Sequence, residues 1–269
     1  PTPHFDADRA LATVRALATG IGPRLATGPA FRDAIGLLRP DLATSGYAVT
    51  QQWFHVPAGD SWGVPVEAGR SANVVATPPS FDPALPYAIV GAHLDTVAVA
   101  PGAEDNASGV AVVMELARTL DGGGLPVVLV LFGGEEPRGP GDLHHFGSKH
   151  YVEQMTREER RNLVAMVSLD RVGVGPTVPL YAIDGGPTDV RDQLERAGDQ
   201  AGVPTVVGIN SGSDHESFAD AGLPAARLGG TSYAAYHSAD DRPGVVDRAQ
   251  LARVGRLLTT WITGRPPGR

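Results

Sequence analysis

Apolar positions recur at helical spacing early in the chain. In DADRALATVRALA, residues 6 to 18, Leu11, Val14 and Leu17 share one face, and residues 29 to 43 repeat the pattern before SGYAVTQQWFHV turns to strand-like spacing. SANVVATPP and PYAIVGAH follow as two more strands, and the second is apolar at consecutive positions, as in a strand covered on both faces. Beyond it strands and helices alternate. NASGVAVVMELARTL predicts a helix, PVVLVLFGG a buried strand, GSKHYVEQM and REERRNL helices, and LVAMVSLD another buried strand. VPLYAI, a helix at PTDVRDQLERAGDQAG, PTVVGI, a short helix at DHESFADAG, PAARLGG and a last helix at VDRAQLARVGRLLTTWI complete the series. This alternation predicts an α/β three-layer sandwich, with a central mixed but mostly parallel sheet flanked by helices. In such sheets ligands sit outside the carboxyl ends of the strands.

At 269 residues and 42% hydrophobic composition, residues 1–269 are expected to form one domain around one core. PRGPGDLHHFG reads as a surface loop and the RPPGR tail as frayed. No stretch approaches the roughly 18 apolar residues of a membrane span, and PTPHFDADRA lacks the basic-then-apolar pattern of a signal peptide. The chain starts at Pro1 rather than Met, so a leader either removed or left out of this sequence is expected. Net charge is −8, Lys149 is the only lysine and the arginines are scattered, so the basic footprint of a nucleic-acid binder is missing. There is no cysteine, which excludes disulfides and thiolate metal sites. Any metal must be held by His, Asp and Glu.

Such residues stand at strand and loop ends: His93 with Asp95, Asp105, Glu135 with Glu136, Asp170 and His237. Taken singly each has a plain explanation. A histidine at a strand end is usually just hydrogen-bonded, and Asp105, at the start of a helix, is a candidate cap. Glu135 and Glu136 resist that explanation, because two carboxylates directly after VVLVLFGG bring charge against a buried strand, which is costly unless a metal or a shared proton offsets it. Asp170 repeats the pattern after VAMVSL. Residues two apart in an extended chain share a side, so Asp95 can reach the other ring nitrogen of His93 and fix its tautomer, leaving His93 to bind metal. The two oxygens of Asp105 can bridge two cations, and of the two glutamates one can ligate while the other touches a bound water. A donor set of two His, two Asp and one Glu suits a pair of Zn²⁺ ions, with Mn²⁺ or Co²⁺ as substitutes, and so metal-assisted hydrolysis.

AHLDTV, APGAEDNASG, GGEEP, SLD and YHSADD resemble, in order, the motifs of the co-catalytic di-zinc aminopeptidases of the secreted bacterial leucyl-aminopeptidase type, and GPRLATG resembles that family's early GPR segment. The resemblance implies a zinc exopeptidase fold, in which His93, Asp105 and Asp170 hold one zinc and Asp105, Glu136 and His237 the other. It implies Glu135 as general base and then acid to the leaving amine, and a non-proline cis peptide after Asp105. It also gives Tyr236 as an oxyanion donor, against which stands a packed aromatic ring. GSDHESFADAGLPA resembles a pocket-lining segment in which Asp214 and His215 either orient neighbours or face substrate, and Asp241 matches a family aspartate acting as a loop cap or partner of a ligand. His144, His145 and His150 are expected to be solvated loop residues, and His4 and His55 surface residues. Peptides are the expected substrates, with neither nucleic acid nor membrane as partner, a monomer as the assembly, and a secreted or cell-envelope location. A carboxypeptidase would instead need a cationic clamp, for which Arg138, Lys149 and Arg171 lie near in sequence. Glutaminyl cyclases share the fold and much of the motif set with one zinc, and a non-catalytic binding relative would have lost ligands or base, none of which is missing here.

Overall fold

The computed structural model describes residues 4–120 and 124–264, so the RPPGR tail lies outside the described residues. Four parallel strands make the centre of an eight-stranded sheet: β5 (Tyr87–His93), β6 (Val127–Phe132), β7 (Leu163–Leu169) and β10 (Ala225–Leu228). Antiparallel additions flank them, with β1 (Ala48–Val56) and β4 (Gly69–Thr77) on one side and β8 (Val178–Ala182), which pairs in parallel with β9 (Thr205–Ile209), on the other. The order is β1-β4-β6-β5-β7-β10-β8-β9.

Side-chain alternation splits the strands between two cores. In β5, Ala88, Val90 and Ala92 join the cluster under α1 (Ala7–Arg15), α2 (Pro29–Thr44), α3 (Gly109–Thr119), α6 (Asp189–Ala201) and α8 (Arg248–Thr263). Tyr87 and Ile89 face the opposite cluster, where they meet Tyr151 and Val152 of α4 (Phe146–Gln154) and Phe218 of α7 (His215–Asp220). Every residue of β5 and β6 is buried, which explains their unbroken apolar runs. The remaining helix, α5 (Arg157–Asn162), buries no residue and starts at a Thr156–Glu159 capping box. Among the described residues no helix is long and apolar enough to cross a membrane.

Register levels the strand ends. His93 pairs with Phe132, and Gly91 pairs with Ser168, so His93, the turn after β6 and Asp170 stand side by side at the carboxyl edge. The structure adds an element that the residue pattern did not announce. A short hairpin of β2 (Gly59–Ser61) and β3 (Val64–Val66) closes through Trp62 and Gly63, both at positive φ (55° and 87°), the backbone of a tight two-residue hairpin turn. It lies against the loop after β6. Asp60 N–H donates to Arg138 O at 2.9 Å, and a Cβ on Gly59 would stand 1.9 Å from that same oxygen. The first helix also continues, as a π-helical turn from Ala16 to Ile21, beyond the expected end at residue 18.

Candidate metal centre

His93 ends β5 with its Nδ1 3.1 Å from the backbone oxygen of Asp95. A proton on Nδ1 is donated there, and Nε2 is left bare toward the strand edge. The tautomer is therefore set by the main chain of Asp95 and not by its carboxylate, whose Oδ1 stands 3.8 Å from the ring nitrogen. The carboxylate instead accepts the N–H groups of Glu135 (3.1 Å) and Glu136 (3.2 Å). The turn after β6, with Gly134 at φ 66°, directs two successive amides at one acceptor, and that pull is stronger than the reach back to the histidine.

The segment bearing Asp105 is tied down from three sides. Fully buried Arg24, from the GPR segment, donates to the carbonyls of Leu94 (3.0 Å), Pro101 (2.7 Å) and Gly102 (3.0 Å). The Asp241 carboxylate accepts from Glu104 N (2.8 Å) and Asp105 N (3.1 Å) and receives the Tyr233 hydroxyl at 3.1 Å. Asn106 donates to Leu169 O at 2.8 Å, and its Oδ1 accepts Gly109 N–H at the start of α3, so Asp105 is released from capping. The Asp105–Asn106 peptide is cis.

Asp105 then divides its oxygens. Oδ1 lies 3.1 Å from His93 Nε2, and Oδ2 lies 3.1 Å from His237 Nε2. On the first side Asp170 Oδ1 stands 3.7 Å from His93 Nε2, while its Oδ2 pairs with Arg227 at 3.0 Å. On the second side Glu136 Oε2 stands 3.2 Å from His237 Nε2. His93, Asp105 and Asp170 could hold one cation and Asp105, Glu136 and His237 another, since the donor atoms within each trio lie within 4.8 Å of one another. Three polar atoms of these residues, His93 Nε2, Asp170 Oδ1 and Glu136 Oε1, are buried and without a hydrogen-bond partner, a costly state that an ion relieves. All-N/O donors with two imidazoles fit zinc.

Residues 73–262 match the model of peptidase family M28 and include all five of these residues. The chain belongs to peptidase family M28. It is 29% identical to a leupeptin-inactivating enzyme of Streptomyces exfoliatus over its whole length, and 30% identical to aminopeptidase YwaD of Bacillus subtilis over 64% of its length. The M28 chain spans 66% and 40% of those two relatives. The fold is that of BSAP, a zinc aminopeptidase from Bacillus subtilis (TM-score 0.84, 18% identity, 97% of this chain and 95% of that one). A glutaminyl cyclase from Fimbriiglobus ruber shares it too (TM-score 0.78, 24% identity, 96% and 95%).

Around its centre the M28 chain forms a cavity of about 240 Å³ lined by Asp105, Glu135, Glu136, Asp170, Arg171 and Tyr236, among others. The Tyr236 ring stacks on that of His237 (centroids 3.7 Å apart), and the Arg171 guanidinium lies over the Tyr236 ring, 4.5 Å from its centroid. Burial and then Asp105 push the Tyr236 hydroxyl well above its ordinary value, so it keeps its proton. Burial, and then Asp105, raise Glu136 to about 8, whereas Asp105 falls to about 2 because the adjacent His237 and His93 rings outweigh its burial. Of the three cations considered for a carboxylate clamp, Arg138 is buried beside Thr27 and Lys149 reaches Asp142 and His144 O; Arg171 alone lines the cavity.

Of the three histidines expected to be solvated, His145 overturns the expectation. His145 is buried, because His145 N–H and Phe146 N–H donate to Glu135 O (3.0 Å) and Gly134 O (2.8 Å) and fold the loop inward. Its Nε2 lies 3.3 Å from Glu135 Oε1 and its Nδ1 3.1 Å from Glu216 Oε2. His144 is half-buried edge-on to it, and His150 sits against Phe54. Asp214 and His215 are fully buried and do not line the cavity. Burial, and then Glu135, raise Asp214 to about 7, and burial, and then Arg227, lower His215 to about 4. Residue reasoning missed Trp62, 4.3 Å edge-on to His237, and the wholly buried Glu104, which takes Gly173 N–H at 2.9 Å. Trp62 gave no signal because the stretch GDSWGVPV shows no periodicity; Glu104, one residue before Asp105, was hidden by its neighbour.

Proposed function

We propose that the chain is the catalytic unit of a two-zinc aminopeptidase that releases N-terminal residues from peptides. The observation that carries the reading is the shared Asp105 carboxylate, each oxygen 3.1 Å from a different histidine, with Asp170 completing one trio and Glu136 the other. Zinc bound there supplies an acidified water and a polarised carbonyl. Glu135, standing between His145 at 3.3 Å and His93 at 3.8 Å, takes the proton of the attacking water and hands it to the leaving amine. Asp170 and Glu135 face the free α-ammonium group with negative charge, and Tyr236, holding its proton, donates to the oxyanion. The proposed location, secreted or cell-envelope, rests on the motif resemblance.

A panel of aminoacyl-anilides, run with free and blocked N-termini on zinc-loaded and chelated protein, tests the reading. Hydrolysis is expected only for free N-termini and only with metal. Glu135→Gln should lower kcat by about 10²- to 10⁴-fold while zinc content is kept. Turnover that survives chelation or this substitution would sink the mechanism, and a single zinc equivalent with cyclised glutamine as product would replace it with the glutaminyl cyclase reaction.

A further inference from the structure

Beside the two central trios the loop after β6 brings together a third set of donors. His144, His145 and Glu216 each offer one ligand atom, and the three atoms lie within 4.8 Å of one another. His145 Nδ1 is 3.1 Å from Glu216 Oε2, close to the roughly 3.3 Å that separates two donors around a tetrahedral zinc at about 2.0 Å from each. Despite that proximity, Nδ1 is buried and makes no hydrogen bond of acceptable geometry. A buried imidazole nitrogen aimed at a carboxylate without bonding to it is a donor waiting for a cation between the two.

We propose that His144, His145 and Glu216 form an accessory site for a third divalent cation of the zinc class at the rim of the central cavity. His144 and Glu216 are half-buried, so the ion reaches the site from solvent and keeps an open fourth position. The two rings stand edge-on, with centroids 4.1 Å apart and planes at 89°, which lets adjacent residues present nitrogens to one point without stacking. The backbone supports this: His145 has φ 55°, and the side chain of Lys149 grips the His144 carbonyl at 2.8 Å, so the turn that presents the pair is held from outside. The ion would fix the His145 tautomer. With Nδ1 on the metal, the remaining proton sits on Nε2 and is donated to Glu135 Oε1, 3.3 Å away.

The test is zinc stoichiometry measured by elemental analysis after equilibration across buffered free zinc from nanomolar to micromolar. It compares the wild-type chain with His144→Ala and Glu216→Gln, each of which removes a partly exposed donor and leaves the central trios intact. The wild type is expected to take up one zinc equivalent more than either variant. Equal zinc content in all three proteins would overturn the proposal and leave His145 as an imidazolium lodged between Glu135 and Glu216. Because the readout is a difference between proteins, it stands whether the central cavity holds one ion or two, and so its failure is separable from failure of the aminopeptidase reading.

Discussion

The Asp95 carboxylate accepts two amides from the turn that carries Glu135 and Glu136, and it is almost wholly buried. Replacing it with alanine leaves two buried N–H groups without an acceptor, each costing about 1 to 3 kcal/mol. Asp95→Ala is therefore expected to lower stability by about 2 kcal/mol or more in urea denaturation and to lose zinc from the Glu136 side first, as read by zinc titration. Asp95→Asn should fall between the two proteins, since one amide oxygen can still accept. His93 needs neither carboxylate oxygen, so its tautomer should survive both changes. The importance of Asp95 was legible in its place two residues after His93, but its target was not: alternation along one strand says which side a residue shares, and nothing about a turn forty residues later that comes to meet it. Arg24 illustrates the same limit, since three of its four carbonyl partners lie 70 to 78 residues away.

At the scale of elements, legibility followed burial. β5, β6 and β7 were predictable because both of their faces are covered, which forces apolar residues at consecutive positions, and their ends were readable because ionisable residues interrupt those runs. The β2–β3 hairpin offered no such pattern. Its strands are three residues each, Pro65 interrupts one, and its turn places Trp62 in a left-handed conformation where Asn or Gly is usual. What holds it is contact with the loop after β6, so its stability is tertiary. Gly59→Ala tests this, because the new methyl would collide with Arg138 O and neither backbone can give way cheaply. A loss of about 1 to 3 kcal/mol is expected in thermal denaturation. A rise in KM should accompany it as Trp62 shifts from its place 4.3 Å from His237, and unchanged KM would separate the hairpin from substrate binding.

The molecule as a whole concentrates buried carboxylates at one sheet edge, and this sets how it responds to pH once metal is removed. Without an ion, protons must supply the missing positive charge. Burial opposes protonation of His237, but its hydrogen bonds to Asp105 and Glu136 prevail and raise it to about 10, against roughly 6.5 in an unfolded chain. Such a group contributes stability that is fully present below about pH 6.5 and is lost as pH rises toward 10. Glu136, raised to about 8 mainly by burial, acts in the same direction, because the folded chain binds its proton more tightly than the unfolded chain does and stability falls between about pH 4.5 and 8. His215, lowered to about 4, acts oppositely, but its window closes by about pH 6.5. The chelated protein should thus lose thermal stability steadily from pH 6.5 to 9. The zinc-loaded protein should not, because metal replaces the proton and binds better as the histidines are freed of theirs. Melting temperatures of both forms across this range are expected to diverge with rising pH. Parallel curves would mean that the histidines and carboxylates at the strand ends are not the groups that the metal neutralises.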